Sequence, residues 1–403
     1  MPTRGRPARL TVAMTHPVQY YSPWFRYISE NCPEIQLTVI YATVPTPEQQ
    51  GVGFGVSFDW DTSPLEGYDF VQVRPPRPTD YLHSDRFLGL HVRGMGRAIR
   101  HSSPDAVLVV GWYSATLVRA LVACRLAGYG AIYRGDTHLG RGRGVLRSTM
   151  WGVKTRAMLR FFEAFLTVGR WNREYLRHFG IPDSMIFFAP HCVDNDLFRS
   201  AAANDRTVGG GTHYRASLGI SPDDFVVLFV GKVDSQKRPA DVIAACAALG
   251  EGVTTLIVGT GPEVERCRDD AARLGVRLIL AGFVNQSGLG RVYGAADVCV
   301  LPSSSETWGL VVNEAMAAGT PCVVSDAVGC APDLIRPGIT GEVFEVGDVA
   351  ACTAALARIR NAKSHGHDFT EACQGIVANY SFRTATDGLL QAVESVQRAR
   401  PDE

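Results

Sequence analysis

Long apolar runs are missing from this sequence of 403 residues. The longest, Ala106–Trp112 and Phe225–Gly231, last about seven residues, far short of the ~20 that cross a bilayer as a helix. They read as buried strands. The basic start Met1–Arg9 leads only into a short run broken at His16-Pro17, so no secretory apolar region is visible and a cytoplasmic location is the expectation. Paired cysteines are missing too. The ten that occur are scattered singly from Cys32 to Cys373, with no C-x-x-C pair and no clustering with histidine, which argues against a zinc site or a disulfide framework. A net charge is lacking as well, and no nucleic-acid partner is expected. Lysine is the scarcest charged residue: only four occur, beside 36 arginines.

What is present is an ordinary globular composition, 46% apolar and 20% charged, in a length suited to two domains of roughly 150 to 200 residues. Apolar β-rich runs alternate with helical patterns throughout, as in Leu10–Met14, Leu37–Tyr41, Ala106–Gly111, Val226–Gly231, Thr255–Gly259, Arg277–Ala281, Val298–Leu301 and Cys322–Ser325. That alternation predicts an α/β fold of parallel sheets covered by helices on both faces. The small, polar and Gly-rich run Arg199–Thr212 reads as a connection, dividing a first domain over 1–205 from a second over 206–378. Beyond 379, Phe382, Ala385, Leu389, Val393 and Val396 recur at helical spacing, so a last amphipathic helix must bury one stripe, and the first domain is a candidate surface for it. The halves differ in charge: residues 1–212 carry 24 basic against 17 acidic side chains, and 213–403 carry 16 against 23. The basic excess is densest from Arg134 to Arg177 and suits either a solvated helix face or an anionic acceptor or membrane surface.

The stretch Leu301–Cys322 has the layout strand, loop, helix, strand. Gly309 stands where the loop meets a helix over Leu310–Ala318, and Gly319 with Pro321 ends it. The free N–H groups at such a helix start suit an anion. Glu306 in the loop and Glu314 on the helix can accept hydrogen bonds from hydroxyls of one ligand, although a capping Glu306 and a solvated Glu314 fit the spacing as well. Two of the four lysines, Lys232 and Lys237, fall within six positions after the strand that ends at Gly231, as compact charges for a diphosphate or as two exposed lysines on a turn. Gly259-Thr-Gly261 follows another strand. It hints at a dinucleotide fingerprint, but Pro262 follows and the third glycine is missing.

The run Ser305-Glu306-Thr-Trp308-Gly309-Leu310-Val-Val-Asn-Glu314-Ala-Met-Ala resembles the E-x7-E signature of retaining family 4 glycosyltransferases. The resemblance implies the GT-B architecture of two Rossmann-like domains facing a cleft, and polysaccharide-assembly members share the His16-Pro-x-Gln19 form. It implies that Glu314 holds the nucleotide ribose and Glu306 the transferred sugar, while backbone groups at Trp308, Gly309 and Leu310 meet sugar and diphosphate. Lys232 and Lys237 would meet the diphosphate, although the family usually has arginine at the first position and glycine where Arg238 stands. Gly231, Gly259, Gly261 and Val284 fall on its nucleotide-side loops. In the first half, His16 and Gln19 at a strand's C-terminal edge would face acceptor or phosphate, and Asp136 and His138 the transferred sugar. A core or capping role fits His16 equally.

Asp59-Trp-Asp61 and Asp194-Asn-Asp196 match a D-x-D metal motif, yet no metal and no cofactor are expected, since the first lies in a Gly- and Pro-flanked loop and the second in a run resembling the family's interdomain turn. The expected reaction is transfer of a sugar from a nucleoside diphosphate to an acceptor hydroxyl with retention of configuration. The acceptor is a glycan, a lipid-linked or a small molecule, and peripheral contact with the inner membrane face goes with the basic first half. A catalytically silent nucleotide-sugar or glycan binder is the alternative, and an oxidoreductase a more distant one.

Overall fold

The computed structural model describes residues 6–52, 55–82, 86–139, 145–206 and 212–399, with backbone only over 145–150. The chain forms two compact units: Met1–Gln50, Ser63–His191 and Phe382–Glu403 make the first, and Gly51–Thr62 with Cys192–Ser381 the second.

The first unit holds strands β1 (Ala8–Met14), β2 (Ile35–Tyr41), β3 (Phe70–Gln72), β4 (Ala106–Val110), β5 (Ala131–Arg134), β6 (Ala164–Thr167) and β7 (Ile186–Phe188). The second holds β8 (Phe225–Val230), β9 (Val253–Val258), β10 (Arg277–Gly282), β11 (Val298–Leu301), β12 (Cys322–Ser325) and β13 (Gly341–Phe344). Their orders are β3-β2-β1-β4-β5-β6-β7 and β10-β9-β8-β11-β12-β13, with every neighbouring pair parallel. Both are doubly wound Rossmann-like sheets, and each reverses direction once, at β1/β4 and at β8/β11. Central strands such as β8 and β9 are buried at all six positions, which is why they are continuous apolar runs without alternation. The expected strands form at the expected places, with ends shifted by a residue or two: β1 and β2 begin two residues earlier, while β4, β8 and β9 stop before their closing glycine. The short outer strands β3, β7 and β13 carried too little apolar signal to stand out.

The boundary between units differs from the expected break near 205. It falls between His191 and Cys192, because helix Asn195–Asn204 belongs to the second unit. Gly290 and Gly294 on helix Gln286–Gly294 let it approach so closely that a Cβ at either would stand 2.5 and 2.7 Å from Ala201 and Ala202 Cβ. Residues 207–211 of the anticipated connection lie outside the described residues. Gly51–Thr62 is a second departure: it belongs to the second unit although the chain enters it from the first. The last helix, Phe382–Arg398, packs its Ala385, Leu389, Val393 and Val396 stripe on the first unit. Trp24 Nε1 donates to Thr386 Oγ1 at 3.0 Å there. No helix among the described residues is long and apolar enough to cross a membrane.

Candidate functional site

In open parallel sheets a ligand crevice forms where the strand order reverses, beyond the carboxyl ends of the strands. In the second unit the flanking strands are β8 and β11, and the segments leaving them are Gly231–Arg238 and Pro302–Gly309, the two that sequence singled out. Four bonds tie these loops together. Lys237 Nζ donates to Glu306 Oε2, Ser304 N and Ser304 Oγ donate to Gln236 O at 2.8 and 3.1 Å, and Gln236 Nε2 donates to Ser305 O at 2.9 Å. The Lys237–Glu306 pair is about four-fifths buried on both sides. Lys232 lies close enough to Lys237 to feel its charge. Burial is the larger effect, and both depress the Lys232 ammonium pKa while Asp234 opposes them.

Arg238, which replaces the family's glycine, adopts φ +53°, the left-handed conformation that glycine favours. Its guanidinium grips Asp241 with bonds of 2.7 and 3.1 Å, holding the turn that starts helix Pro239–Leu249. Gly259 begins the neighbouring turn at φ +138°, and a Cβ there would stand 1.9 Å from Gly231 O. Only glycine permits that approach. Gly259 N in turn donates to Gly282 O at 2.7 Å, which brings in the loop of Val284, and Gly261 has the same tight fit against Val233 O.

Gly309 sits at the start of helix Leu310–Ala317 with φ +103°. The preceding loop is zipped to the loop after β12: Glu306 N donates to Ala327 O, Gly329 N to Glu306 O and Cys330 N to Trp308 O, at 3.2, 3.1 and 2.9 Å. Trp308 is a core residue, its indole buried and donating to Asn313 Oδ1 at 2.8 Å, so only its backbone is available for the role the resemblance implied. Glu314 is buried rather than solvated, and its carboxyl accepts from Tyr293 Oη at 2.6 Å. Burial pushes the Glu314 carboxyl up to about 7, with the Tyr293 bond opposing. A second polar group is held nearby: Ser303, wholly buried after β11, has no hydrogen-bond partner for its Oγ.

The first unit's reversal point gathers the other candidates. Thr15 Oγ1, just past β1, lies 2.9 Å from His16 Nδ1 and 2.7 Å from Tyr113 Oη, while Gln19 has a buried, unsatisfied Oε1. Asp136 stands 3.7 Å from Nε2 of His191, whose pKa burial lowers, and His138 packs on Trp171. Sequence reading missed Tyr293, Gln236, Tyr113 and His191. Among these only His191 carried a signal, as a histidine next to Pro190 in the turn between the domains. Arg141, Arg143 and Arg147 of the basic stretch lie outside the described residues or side chains, while Arg173 and Arg177 pair with Asp183.

Three of the four D-x-D carboxylates have structural partners. Asp194 accepts from Leu197 N at 2.9 Å and starts helix Asn195–Asn204, with Asp196 paired to Arg199, and Asp61 accepts from the backbone and hydroxyl of Ser287.

Residues 212–374 match the family described as glycosyl transferases group 1. The D-inositol 3-phosphate glycosyltransferases of Mycobacterium marinum and Mycobacterium bovis are 35% and 36% identical over 208 and 209 residues, 49% of this chain in each case. The family match, these relatives and the fold together support a family 4 glycosyltransferase. Its match spans only 42% and 41% of those two relatives' length. Anabaena HepE, solved with UDP, superposes with TM-score 0.72 at 16% identity, covering 96% of this chain and all of that one. Sucrose-phosphate synthase from Thermosynechococcus elongatus does so with TM-score 0.72 at 18%, covering 98% and 100%. These place the chain in the GT-B fold. They match both units, whereas the family match lies wholly in the second, where the E-x7-E carboxylates are.

Proposed function

We propose that this chain, as a family 4 glycosyltransferase, transfers a sugar from a nucleoside-diphosphate donor to an acceptor hydroxyl, with retention of configuration. The observation that carries this is the cluster at the β8/β11 reversal, where Lys237 is paired with Glu306, Lys232 is beside them, and Glu314 is buried on the helix that starts after Gly309. As the glycosidic bond breaks, negative charge grows on the departing diphosphate. Lys232, Lys237 and the N–H end of helix Leu310–Ala317 meet that charge without a metal, and this is the main term in such catalysis. Glu314 accepts from the ribose hydroxyls and Glu306 from the transferred sugar.

The leaving phosphate itself takes the acceptor's proton, so the site needs no separate general base. UDP is the first nucleotide to try, given the UDP held by Anabaena HepE and the similarity of fold. Ten free, buried cysteines suit a reducing compartment and favour the cytoplasm. The acceptor, and peripheral contact with a membrane through the basic first unit, belong to the same reading.

The test is release of nucleoside diphosphate from a panel of nucleotide sugars by the purified protein, with the anomeric configuration of any product read by NMR. Turnover with a retained anomer is expected. Tight donor binding with no release would instead establish a silent binder, and binding of NAD(P) alone would overturn both.

A further inference from the structure

Glu314 stands on helix Leu310–Ala317 with 6% of its surface exposed, and its Oε2 accepts from Tyr293 Oη at 2.6 Å. That distance falls within the range of about 2.5–2.7 Å for a hydroxyl bonded to an ionised oxygen. The last torsion of a glutamate side chain is soft and roughly two-fold, so a carboxylate without a partner turns through many orientations. A bond to one oxygen ends that freedom and leaves Oε1 as the oxygen for a ligand hydroxyl.

Tyr293 is itself held on several sides. It is wholly buried in the last turn of helix Gln286–Gly294, its ring edge-on to Phe198 with centroids 6.0 Å apart. Its carbonyl accepts from Thr320 Oγ1 at 2.8 Å, just beyond the helix that carries Glu314. The two segments are therefore joined twice, through the backbone of Tyr293 and through its hydroxyl. The helix under Tyr293 is in turn seated closely on helix Asn195–Asn204 through Gly290 and Gly294. Burial, and after it the Glu314 carboxylate, hold the Tyr293 phenol well above its ordinary 10, so the proton stays on Oη as a donor. The buried Cys299 and Cys322 thiols of β11 and β12 act on it in the same direction. On the Glu314 side burial raises the carboxyl to about 7, and the Tyr293 bond opposes that rise.

We propose that Tyr293 is a positioning residue of the β8/β11 site, its hydroxyl fixing the orientation of the Glu314 carboxylate and favouring the charged form that accepts a nucleotide hydroxyl. Enclosed as it is, Tyr293 touches no substrate and acts through Glu314 alone. The nucleotide in this assignment rests on the glycosyltransferase reading of the site, whereas the hold on Glu314 does not.

Tyr293→Phe removes the hydroxyl and keeps the ring on Phe198, so it separates the bond from the packing. The first readout needs no ligand: the whole protein, carrying glutamate labelled with carbon-13 at the carboxyl, is titrated by NMR, with the Glu314 signal assigned by its loss in Glu314→Gln. The parent should titrate near about 7 and Tyr293→Phe about one pH unit higher, because a hydrogen bond to the charged form is gone. The second readout is UDP affinity by calorimetry from pH 6 to 9. Tyr293→Phe should bind about five- to tenfold more weakly at and below pH 7 and approach the parent by pH 9. In a Glu314→Ala background the same change should leave affinity within about twofold, since the group it acts through is absent. An unmoved Glu314 midpoint, even with a lowered melting temperature, or an equal loss of affinity with and without Glu314, would overturn the proposal and reduce Tyr293 to packing. A moved midpoint in a parent that binds no UDP at any pH would sink the donor-site reading while the hold on Glu314 stands.

Discussion

Glu314 makes the β8/β11 site sensitive to pH. Its carboxyl ionises at about 7 in the folded chain against an ordinary 4.5, because burial outweighs the Tyr293 hydrogen bond. Between those two values the unfolded chain releases the proton while the folded one keeps it, so folding stability falls as pH rises from 4.5 to 7 and levels off above. The shift corresponds to about 3 kcal/mol at pH 8. Glu314→Gln keeps an acceptor for Tyr293 without the charge, and should melt higher than the parent at pH 8 and alike at pH 4. The proposed ribose contact needs the carboxylate, so nucleotide affinity should rise from pH 6 to 8, by up to about tenfold per unit below the pKa, and calorimetry on Glu314→Gln should show that dependence flattened. For Lys237→Ala, loss of one charge-stabilising donor predicts a fall in kcat of about 10²- to 10³-fold. Unchanged steady-state kinetics would remove Lys237 from the chemistry. The types of these residues and their order along the chain were legible in advance. That Lys237 pairs with Glu306, and that Glu314 is buried against Tyr293, was not, since both contacts join segments far apart in sequence.

Among the elements, Gly51–Thr62 was the least expected. This strap lies on the loop after β10: Phe58 packs on Phe283 with centroids 4.4 Å apart, and Asn285 Nδ2 donates to Asp59 O at 2.8 Å. Asp61 accepts from Ser287 N at 3.2 Å in the first turn of helix Gln286–Gly294, where the helix dipole favours a carboxylate. Asp61 is thus an acceptor at the helix start, and Val284 is held between the strap's contacts at Phe283 and Asn285. Asp61→Ala should cost about 1 kcal/mol in a urea melt, the usual worth of such an N-terminal acceptor. By loosening the Val284 loop it should also raise the nucleotide Kd several-fold while kcat at saturating donor stays near the parent's. An unchanged Kd would make the strap purely structural. Helix Leu310–Ala317 was readable from Gly309 and Gly319, because its punctuation is local. The strap was not, because a Gly- and aromatic-rich loop carries no periodicity to say which surface it covers.

The whole molecule is two doubly wound sheets threaded by one chain that passes between units four times, at 50/51, 62/63, 191/192 and 381/382. The last passage returns helix Phe382–Arg398 to the first unit, where Gly388 comes so near β7 that a Cβ would stand 1.9 Å from Phe188 O. Stopping the chain at Ser381 should therefore lower or abolish the first unit's calorimetric transition while the second still binds UDP. Loss of UDP binding, or an unaltered first transition, would contradict that division. The α/β class, the two-sheet plan, the amphipathic last helix and the E-x7-E segment were determined by the sequence alone, since each is written in local periodicity, punctuation or a contiguous motif. Tertiary structure alone decided where the units part, which loops meet at the β8/β11 reversal, the ionisation of Glu314, and the aromatic-lined cavity that holds Arg134 and Asp136. Those depend on burial and on contacts between distant segments, which set desolvation and electrostatics only once the chain has folded.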